Sequence, residues 1–262
     1  MMFRDDFPTA WAYHANTSRW PFNVLDPEEV WAGPMFKEYP ESRFIALPEP
    51  ADTGVTLSKA IRQRVSCRAF LPSSLSLRDL STLLFLTYGI QGVAHYEAKE
   101  LLERPVPSGG GLYPLEFYLV ARHIEGLTAG VYHYAPLNHG LEFLHELSRS
   151  DGLISQLFMN QPYICDAGAI VLISAVVVRT MHKYADRGYR YILLEAGHAA
   201  QNFSLSATAL GLGTLPLGGF FDAFVGDLLA IDVEQEPLLY GLALGKPRTS
   251  DRLAVRNINL PG

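Results

Sequence analysis

Ile61-Arg62-Gln63-Arg64-Val65-Ser66-Cys67-Arg68-Ala69-Phe70 decides how this chain is read, because two guanidiniums and a hydroxyl fall within a few residues where a helix should end. Leu57 to Arg64 suits a short helix, and the residues after Arg64 suit extended backbone. Along such a backbone Arg64, Ser66 and Arg68 alternate to one face, so all three can meet one anion. The planar guanidinium fork reads a phosphate bidentately, which lysine does not. A solvated basic turn would have the same composition, so the choice rests on the segments downstream.

With 262 residues, 48% hydrophobic and 18% charged, the chain has enough apolar side chains for a sizeable core without staples. The net charge of -6 argues against nucleic acid as the main partner, since no long basic run offsets it. Any phosphate binding must therefore be local. Cys67 and Cys165 lie far apart, and the opening Met-Met-Phe-Arg-Asp-Asp has no apolar segment of signal-peptide type, so a reducing, cytoplasmic protein is expected. The longest apolar run, Ala167 to Val178, is too short to span a bilayer and is rich in valine and isoleucine. It reads as a buried strand, and no membrane role is expected.

Residues 1–50 hold many aromatics and prolines, among them Trp11, Tyr13, Trp20, Pro34, Phe36 and Tyr39, without sustained periodicity. Disorder is poor in aromatics, so an arm wrapping the body is expected. Ser76-Leu77-Arg78-Asp79 is a capping-box start for a helix running to Gly89. A polar stretch from His95 to Arg104 comes next. Leu115 to Val120 alternates as a half-buried strand, Gly130 to Tyr134 reads as a second, and Asn138-His139-Gly140 turns into Leu141 to His145, giving an antiparallel meander. A helical stretch spans about Asp151 to Met159. The longest helix begins near Arg179 or Gly188 and runs to Leu210, with Ile192, Ala196, Ala199 and Phe203 as its apolar stripe and Gly211 as its stop. Leu238 to Leu244 supplies the last strand. With no repeat or low-complexity linker, one α+β domain over 1–262 is expected.

Two glycine segments stand out. Pro107-Ser108-Gly109-Gly110-Gly111 precedes a strand, whereas a nucleotide-binding loop follows a strand and opens a helix, and no Gly-Lys-Ser/Thr is present. Nucleoside triphosphate and Rossmann readings are excluded. Glycines strip side chains from a patch of backbone and allow something flat to approach. Pro216-Leu217-Gly218-Gly219 is a second such patch, whose N–H groups are donors for a ring nitrogen or an anion.

In order along the chain these segments resemble the FMN-dependent nitroreductase superfamily, through the clamp Arg64-Val65-Ser66-Cys67-Arg68-Ala69-Phe70. Within it they resemble the SagB/ThcOx-type azoline dehydrogenases. That likeness is carried by Tyr13-His14, Phe36-Lys37-Glu38-Tyr39-Pro40, Pro107 to Glu116, Lys183-Tyr184, Gly188-Tyr189-Arg190-Tyr191, Glu195-Ala196-Gly197-His198, Gln201-Asn202 and Leu210-Gly211-Leu212-Gly213.

The resemblance implies a nitroreductase-like α+β fold, a central antiparallel-rich sheet flanked by helices, with FMN at the interface of a homodimer. It assigns Arg64, Val65, Ser66, Cys67 and Arg68 to the FMN phosphate and ribityl chain, with Val65 standing where many relatives carry a second basic residue. Pro107, Ser108 and Gly109 would lie against the flavin ring. Pro216, Leu217, Gly218 and Gly219 would offer a backbone N–H, from Gly218, to flavin N5. Arg248 or Arg252 would complete the phosphate site. Lys183 and Tyr184 would be catalytic. Azoline oxidation removes a proton as well as a hydride, and a lysine serves as base only where its surroundings favour the neutral form.

Cys67 lacks a partnered histidine in its motif and is read as a packing residue. Glu195 and His198 are spaced i, i+3 without further ligands, so no metal is expected; both are read as hydrogen-bonding in the core or at the subunit interface. His133, His139 and His145 are read as surface groups. The expected function is FMN-dependent dehydrogenation of thiazoline or oxazoline rings in a peptide or small-molecule substrate, with a cyclodehydratase as a possible partner. The alternatives are an NAD(P)H-dependent nitro or quinone reductase of the same fold and a flavin-free scaffold subunit of a peptide-modifying complex.

Overall fold

Central strands that are apolar on both faces need cover on both, and that need organises the molecule. In the computed structural model, which describes residues 3–18, 33–96, 99–147 and 151–248, the chain opens with α1 (Phe3–Asp6) and α2 (Pro8–Asn16). Then come β1 (Arg43–Ala46), α3 (Leu57–Gln63), β2 (Phe70–Leu71) and α4 (Leu77–Tyr88). The hairpin β3 (Gly92–Tyr96) and β4 (Lys99–Glu103) precedes a 3₁₀ turn at Gly109–Gly111. Strands β5 (Leu115–Ala121), β6 (Gly130–Ala135) and β7 (Gly140–Glu146) form the meander. The second half holds α5 (Asp151–Leu157), β8 (Ala169–Ala175), α6 (Val178–Tyr184), α7 (Asp186–Ala209), β9 (Gly213–Leu217), α8 (Asp222–Leu229) and β10 (Leu238–Pro247).

The main sheet runs β1-β7-β6-β5-β8-β10-β2, with β9 also paired to β10, and all these strand pairs are antiparallel. Phe117, Leu119, Tyr132, Val171, Ile173 and Leu242 face a core closed by α4 and α7. Tyr118, Val120, Ile170, Leu172, Leu215 and Ala243 face a second core closed by α5 and α8. Strand β5 is thus buried throughout rather than half-buried, because its alternate residues enter different cores. Among the described residues no helix is long and apolar enough to cross a membrane.

Local chemistry explains the helix ends. Ser76 accepts the Arg78 N–H at 3.2 Å and opens α4. Gly211, at φ +78°, stops α7, whose Ile192, Ala196, Ala199 and Phe203 are buried as the stripe requires. Of the two starts expected for the longest helix, Gly188 is the nearer: α7 begins at Asp186, and Ala185, at φ +46°, separates it from α6, which holds Arg179. The stretch from His95 to Arg104 forms the β3–β4 hairpin, and the arm contains α1 and α2 rather than aperiodic chain.

The arm is tied down at two places. Arg187 and Arg190, in the first turns of α7, donate to the carbonyls of Thr17 and His14 at 2.8 and 3.1 Å, grasping the C-terminal end of α2. Residues 34–39 lie on the sheet. There Lys37 pairs with Glu236 at 2.5 Å, and the Tyr39 N–H donates to Glu142 at 3.0 Å. Trp20 and Trp31 lie outside the described residues.

Candidate functional site

Helix α3 ends because Arg64 leaves helical space, at ψ 122°, after its N–H closes the last turn on the Ala60 carbonyl. The next residues run alongside β9. Ser66 bridges Thr214 in parallel, and the Cys67 N–H donates to the Thr214 carbonyl at 2.8 Å. Cys67 is buried against Gly213, where a Cβ would stand 2.8 Å from its Cβ and Sγ. Phe70 is fully buried under Gly245. These two anchors hold the segment extended, while Arg64 is half-buried and Arg68 exposed. Neither guanidinium has a carboxylate partner among the described residues. Arg248 reaches the same segment differently. Its N–H bonds the Ala69 carbonyl at 3.0 Å, but its guanidinium is engaged by the Phe70 carbonyl and by Asp166, at 2.9 and 3.3 Å. Arg252 lies outside the described residues.

From Thr214, beside Ser66, β9 leads in four residues, roughly 13 Å of extended chain, to Gly218. Leu217 is buried and Pro216 half-buried. The Gly218 backbone is exposed, and a Cβ there would meet nothing within 4 Å. Gly219 is different: a Cβ would strike the Met159 sulfur at 2.9 Å, and its carbonyl accepts from Gln161 at 3.2 Å.

The other glycine segment meets Lys183 and Tyr184. A Cβ on Gly110 would stand 2.7 Å from Tyr184 Oη and 3.1 Å from Lys183 Nζ, and one on Gly109 would touch Tyr191 and Tyr184. Tyr184 and Tyr191 pack edge to face at 5.1 Å, and Lys183 Nζ lies 5.5 Å from the Tyr184 ring centre. Pro107 is exposed and Ser108 half-buried. The loop is pinned from below, since the Tyr113 N–H donates to Ser108 Oγ at 2.9 Å and Asn202 donates to the Pro105 carbonyl at 3.2 Å.

The two halves are not together in one chain. Lys183, Tyr184 and the loop sit by Tyr191 near the start of α7. The clamp lies by Thr208 and Leu212 at its end, where Gln63, Val65, Cys67, Gly213 and Pro247 also meet. From Tyr191 to Thr208 the helix rises roughly 25 Å.

Two buried polar groupings flank these parts. Glu195, on α7, accepts the Tyr88 hydroxyl at 2.6 Å and also bonds Ser108; burial pushes its carboxyl up to about 7, against the pull of those two bonds and of Arg104. His198 is exposed. On the opposite sheet face, His133 is fully buried between Glu142 and Glu116, at 2.7 and 3.0 Å, and Arg179 of α6 holds Glu116 at 2.6 Å. Burial alone would lower the imidazole, but the two carboxylates outweigh it and hold it above its ordinary value. His133 is therefore a buried, hydrogen-bonded core residue and not a surface group. His139 bonds Ser81 and Tyr134, and His145 bonds the Leu228 carbonyl, so neither is a free surface histidine.

A groove of about 540 Å³ lies elsewhere, between α5 and α8, lined by Leu157, Phe221, Phe224 and Leu228 among others. It holds none of the residues singled out from the sequence.

Comparison with known proteins identifies the family and the fold. A nitroreductase-type protein of Methanocaldococcus jannaschii is 36% identical over 201 residues, covering 74% of this chain and 92% of that one. The Escherichia coli microcin B17-processing protein McbC is 31% identical over 176 residues, and the chain spans 63% of its length. A chain of the E. coli microcin synthetase McbBCD complex, solved with truncated pro-MccB17 bound, shares the fold at TM-score 0.62 and 23% identity, with 92% of each chain covered. A nitroreductase-type structure from Anabaena variabilis superposes at TM-score 0.74 and 30% identity, covering 97% of this chain and 48% of that one. The nitroreductase family model matches residues 61–246, which begin in α3 and end in β10, and the chain belongs to the nitroreductase family.

Proposed function

We propose that this protein is an FMN-dependent dehydrogenase that converts thiazoline or oxazoline rings of a peptide or peptide-like substrate to azoles. The observation that carries the reading is the meeting of Lys183 and Tyr184 with the Gly109–Gly110 backbone, a base and a hydroxyl beside a surface bare enough for a flat ring. The relation to McbC, a microcin B17-processing protein, supports a peptide substrate.

The chain's residues fit FMN. Two guanidiniums without carboxylate partners among the described residues flank an extended segment, β9 leads from it to an N–H-bearing glycine with open space above it, and a second glycine surface is available for the ring. Arg64, Ser66 and Arg68, with the backbone of Val65 and Cys67, would hold the phosphate; Gly218 would face the ring edge, and Pro107, Ser108 and Gly109 its face. When bound, FMN supplies the hydride acceptor. The protein's own task is the second half of the oxidation. A hydride leaves one ring carbon and a proton leaves its neighbour, and Lys183 Nζ takes that proton while Tyr184 Oη orients the ring or relays it. Tyr191 walls the pair on one side.

Because roughly 25 Å of α7 separates clamp from pair, a flavin gripped at its phosphate by one chain meets the Lys183–Tyr184 pair of a second copy. The reading therefore requires a homodimer with its α7 helices antiparallel. The outer face of α7, where Leu193, Leu194, Gly197, His198 and Gln201 are exposed, offers the contact surface. A cyclodehydratase that makes the azoline is the proposed partner, in keeping with a fold relative that belongs to the McbBCD complex. Cys67 and Cys165 are not joined in a disulfide, which suits a reducing cytoplasm.

The test is Lys183→Ala. Turnover of an azoline peptide should fall about 10²- to 10⁴-fold, the range for a lost general base, with FMN affinity kept. Full turnover by the variant sinks the dehydrogenase mechanism. Nitroaromatic reduction by NAD(P)H without azoline turnover would establish the reductase alternative, and a colourless protein that takes up no added FMN would establish the scaffold.

A further inference from the structure

We propose that Glu195 is the positioning residue that locks the glycine loop against Lys183 and Tyr184, and that a proton on its carboxyl releases the lock. The role in catalysis rests on the proposed flavin chemistry; the lock itself does not.

Glu195 is 2% exposed and receives hydrogen bonds from two hydroxyls that belong to different ends of one backbone problem. Tyr88 donates to it at 2.6 Å and accepts the Leu115 N–H at 3.2 Å. Ser108 bonds it as well and accepts the Tyr113 N–H at 2.9 Å. Two relays thus run from backbone N–H through hydroxyl to carboxylate, and they bracket residues 108–115. A hydroxyl has one proton to give. An ionised carboxylate holds both relays by charge-assisted bonds, whereas a protonated one offers only neutral acceptors, roughly half as strong, and brings a donor of its own, so the relays loosen.

The loop needs such a hold. Gly110 and Gly111 both stand at φ +68°, and Tyr113 at φ +44°, a conformation that is strained for a bulky side chain and persists only where its surroundings enforce it. The charged and titratable groups facing Glu195 are few. From α4 comes Tyr88, from the loop Ser108, and from the segment after β4 the Arg104 guanidinium, stacked on the Tyr88 and Tyr113 rings at 4.4 and 4.8 Å. Burial, the largest influence on the carboxyl, pushes it up to about 7, which sets the pH range in which lock and release are to be read.

Hydrogen exchange on the flavin-free full chain, read by mass spectrometry over residues 107–115, tests the lock. Between about one pH unit above and one below the transition, the protonated fraction changes about ten-fold. After correction for intrinsic exchange, wild-type loop amides should open about ten-fold more at the acid end. Glu195→Gln should exchange fast and without pH dependence. Should that variant not fold, Tyr88→Phe decides: losing one donor to the charged form must move the transition to higher pH. A flat wild-type profile, a Glu195→Gln profile superimposable on wild type, or an unmoved Tyr88→Phe transition overturns the proposal. If the exchange transition is present but FMN never binds, the lock stands and the flavin reading falls. If FMN binds and azolines turn over while exchange is flat, the lock alone falls.

Discussion

Gly110 and Tyr184 leave no room between them for a side chain: a Cβ on the glycine would stand 2.7 Å from the tyrosine hydroxyl, and its φ of +68° disfavours any other residue. Gly110→Ala should therefore destabilise the protein by about 1 kcal/mol through backbone strain and push Tyr184 and Lys183 off their positions. Azoline turnover should drop at least as far as in a single Tyr184 variant, while FMN affinity, whose phosphate contacts lie at the far end of α7, should fall less than in Arg64→Ala. Paired kinetics and flavin titration measure both.

Arg64→Ala removes one of the two cations flanking Ser66. Loss of a charge-assisted bond at a half-buried site should weaken FMN binding by about 1.5–3 kcal/mol, on the order of ten- to hundred-fold in Kd. Titration with riboflavin, which lacks the phosphate, is the control and should show no difference between variant and wild type.

Gly213→Ala should strike at the same clamp from beneath. The added methyl would sit 2.8 Å from both Cys67 Cβ and Sγ and 3.3 Å from Pro247, so the segment must lift from β9. Overpacking of this kind costs about 1–3 kcal/mol. The expected signature is a lowered denaturation midpoint together with weakened FMN binding, in contrast to Arg64→Ala, which should leave the midpoint unchanged.

The Glu116–His133–Glu142 triad predicts a pH dependence with two limbs. His133 is held above its unfolded value of 6.5, so its contribution is complete below that value and is lost as pH rises through the raised one. Glu116 and Glu142 are held below 4.5: burial opposes this, but His133, joined at Glu116 by Arg179, outweighs it. Their contribution is complete above 4.5 and is lost as pH falls through the lowered values. The stability difference between wild type and His133→Gln should thus be largest between about pH 4.5 and 6.5 and shrink on either side. Urea denaturation across that range measures it, and breaking so buried a grouping should cost about 3–5 kcal/mol.

Helices α3, α4 and α7 could be read from the chain because caps, stops and stripes are local signals, and β8 because an apolar run of its length has few other uses. The β3–β4 hairpin left no such mark. Its Val93 and Leu101 are exposed, so no buried face imposes alternation. The break at Ala185 was only partly legible: Gly188 offered a start close to it, but alanine itself announces no turn. His133 was misread for a related reason: a charged residue on a strand looks solvated until its partners are known, and Glu116, Glu142 and Arg179 come from three other elements. At the candidate site, residue types in the clamp and glycine segments were legible. That the clamp and the Lys183–Tyr184 pair occupy opposite ends of one helix was not, because only the packed structure says what lies beside Thr208 and what beside Tyr191.

The stretch of α7 between those two residues acts as a gauge. Each residue of an α-helix advances its axis by about 1.5 Å and swings it by about 100°, so one insertion or deletion there would both respace the two ends and rotate them out of phase. Substitutions along the exposed side leave the gauge intact; a change in residue count does not. Chimeras that exchange either end of this helix with a relative must therefore conserve the number of residues between them before any question of side-chain identity arises.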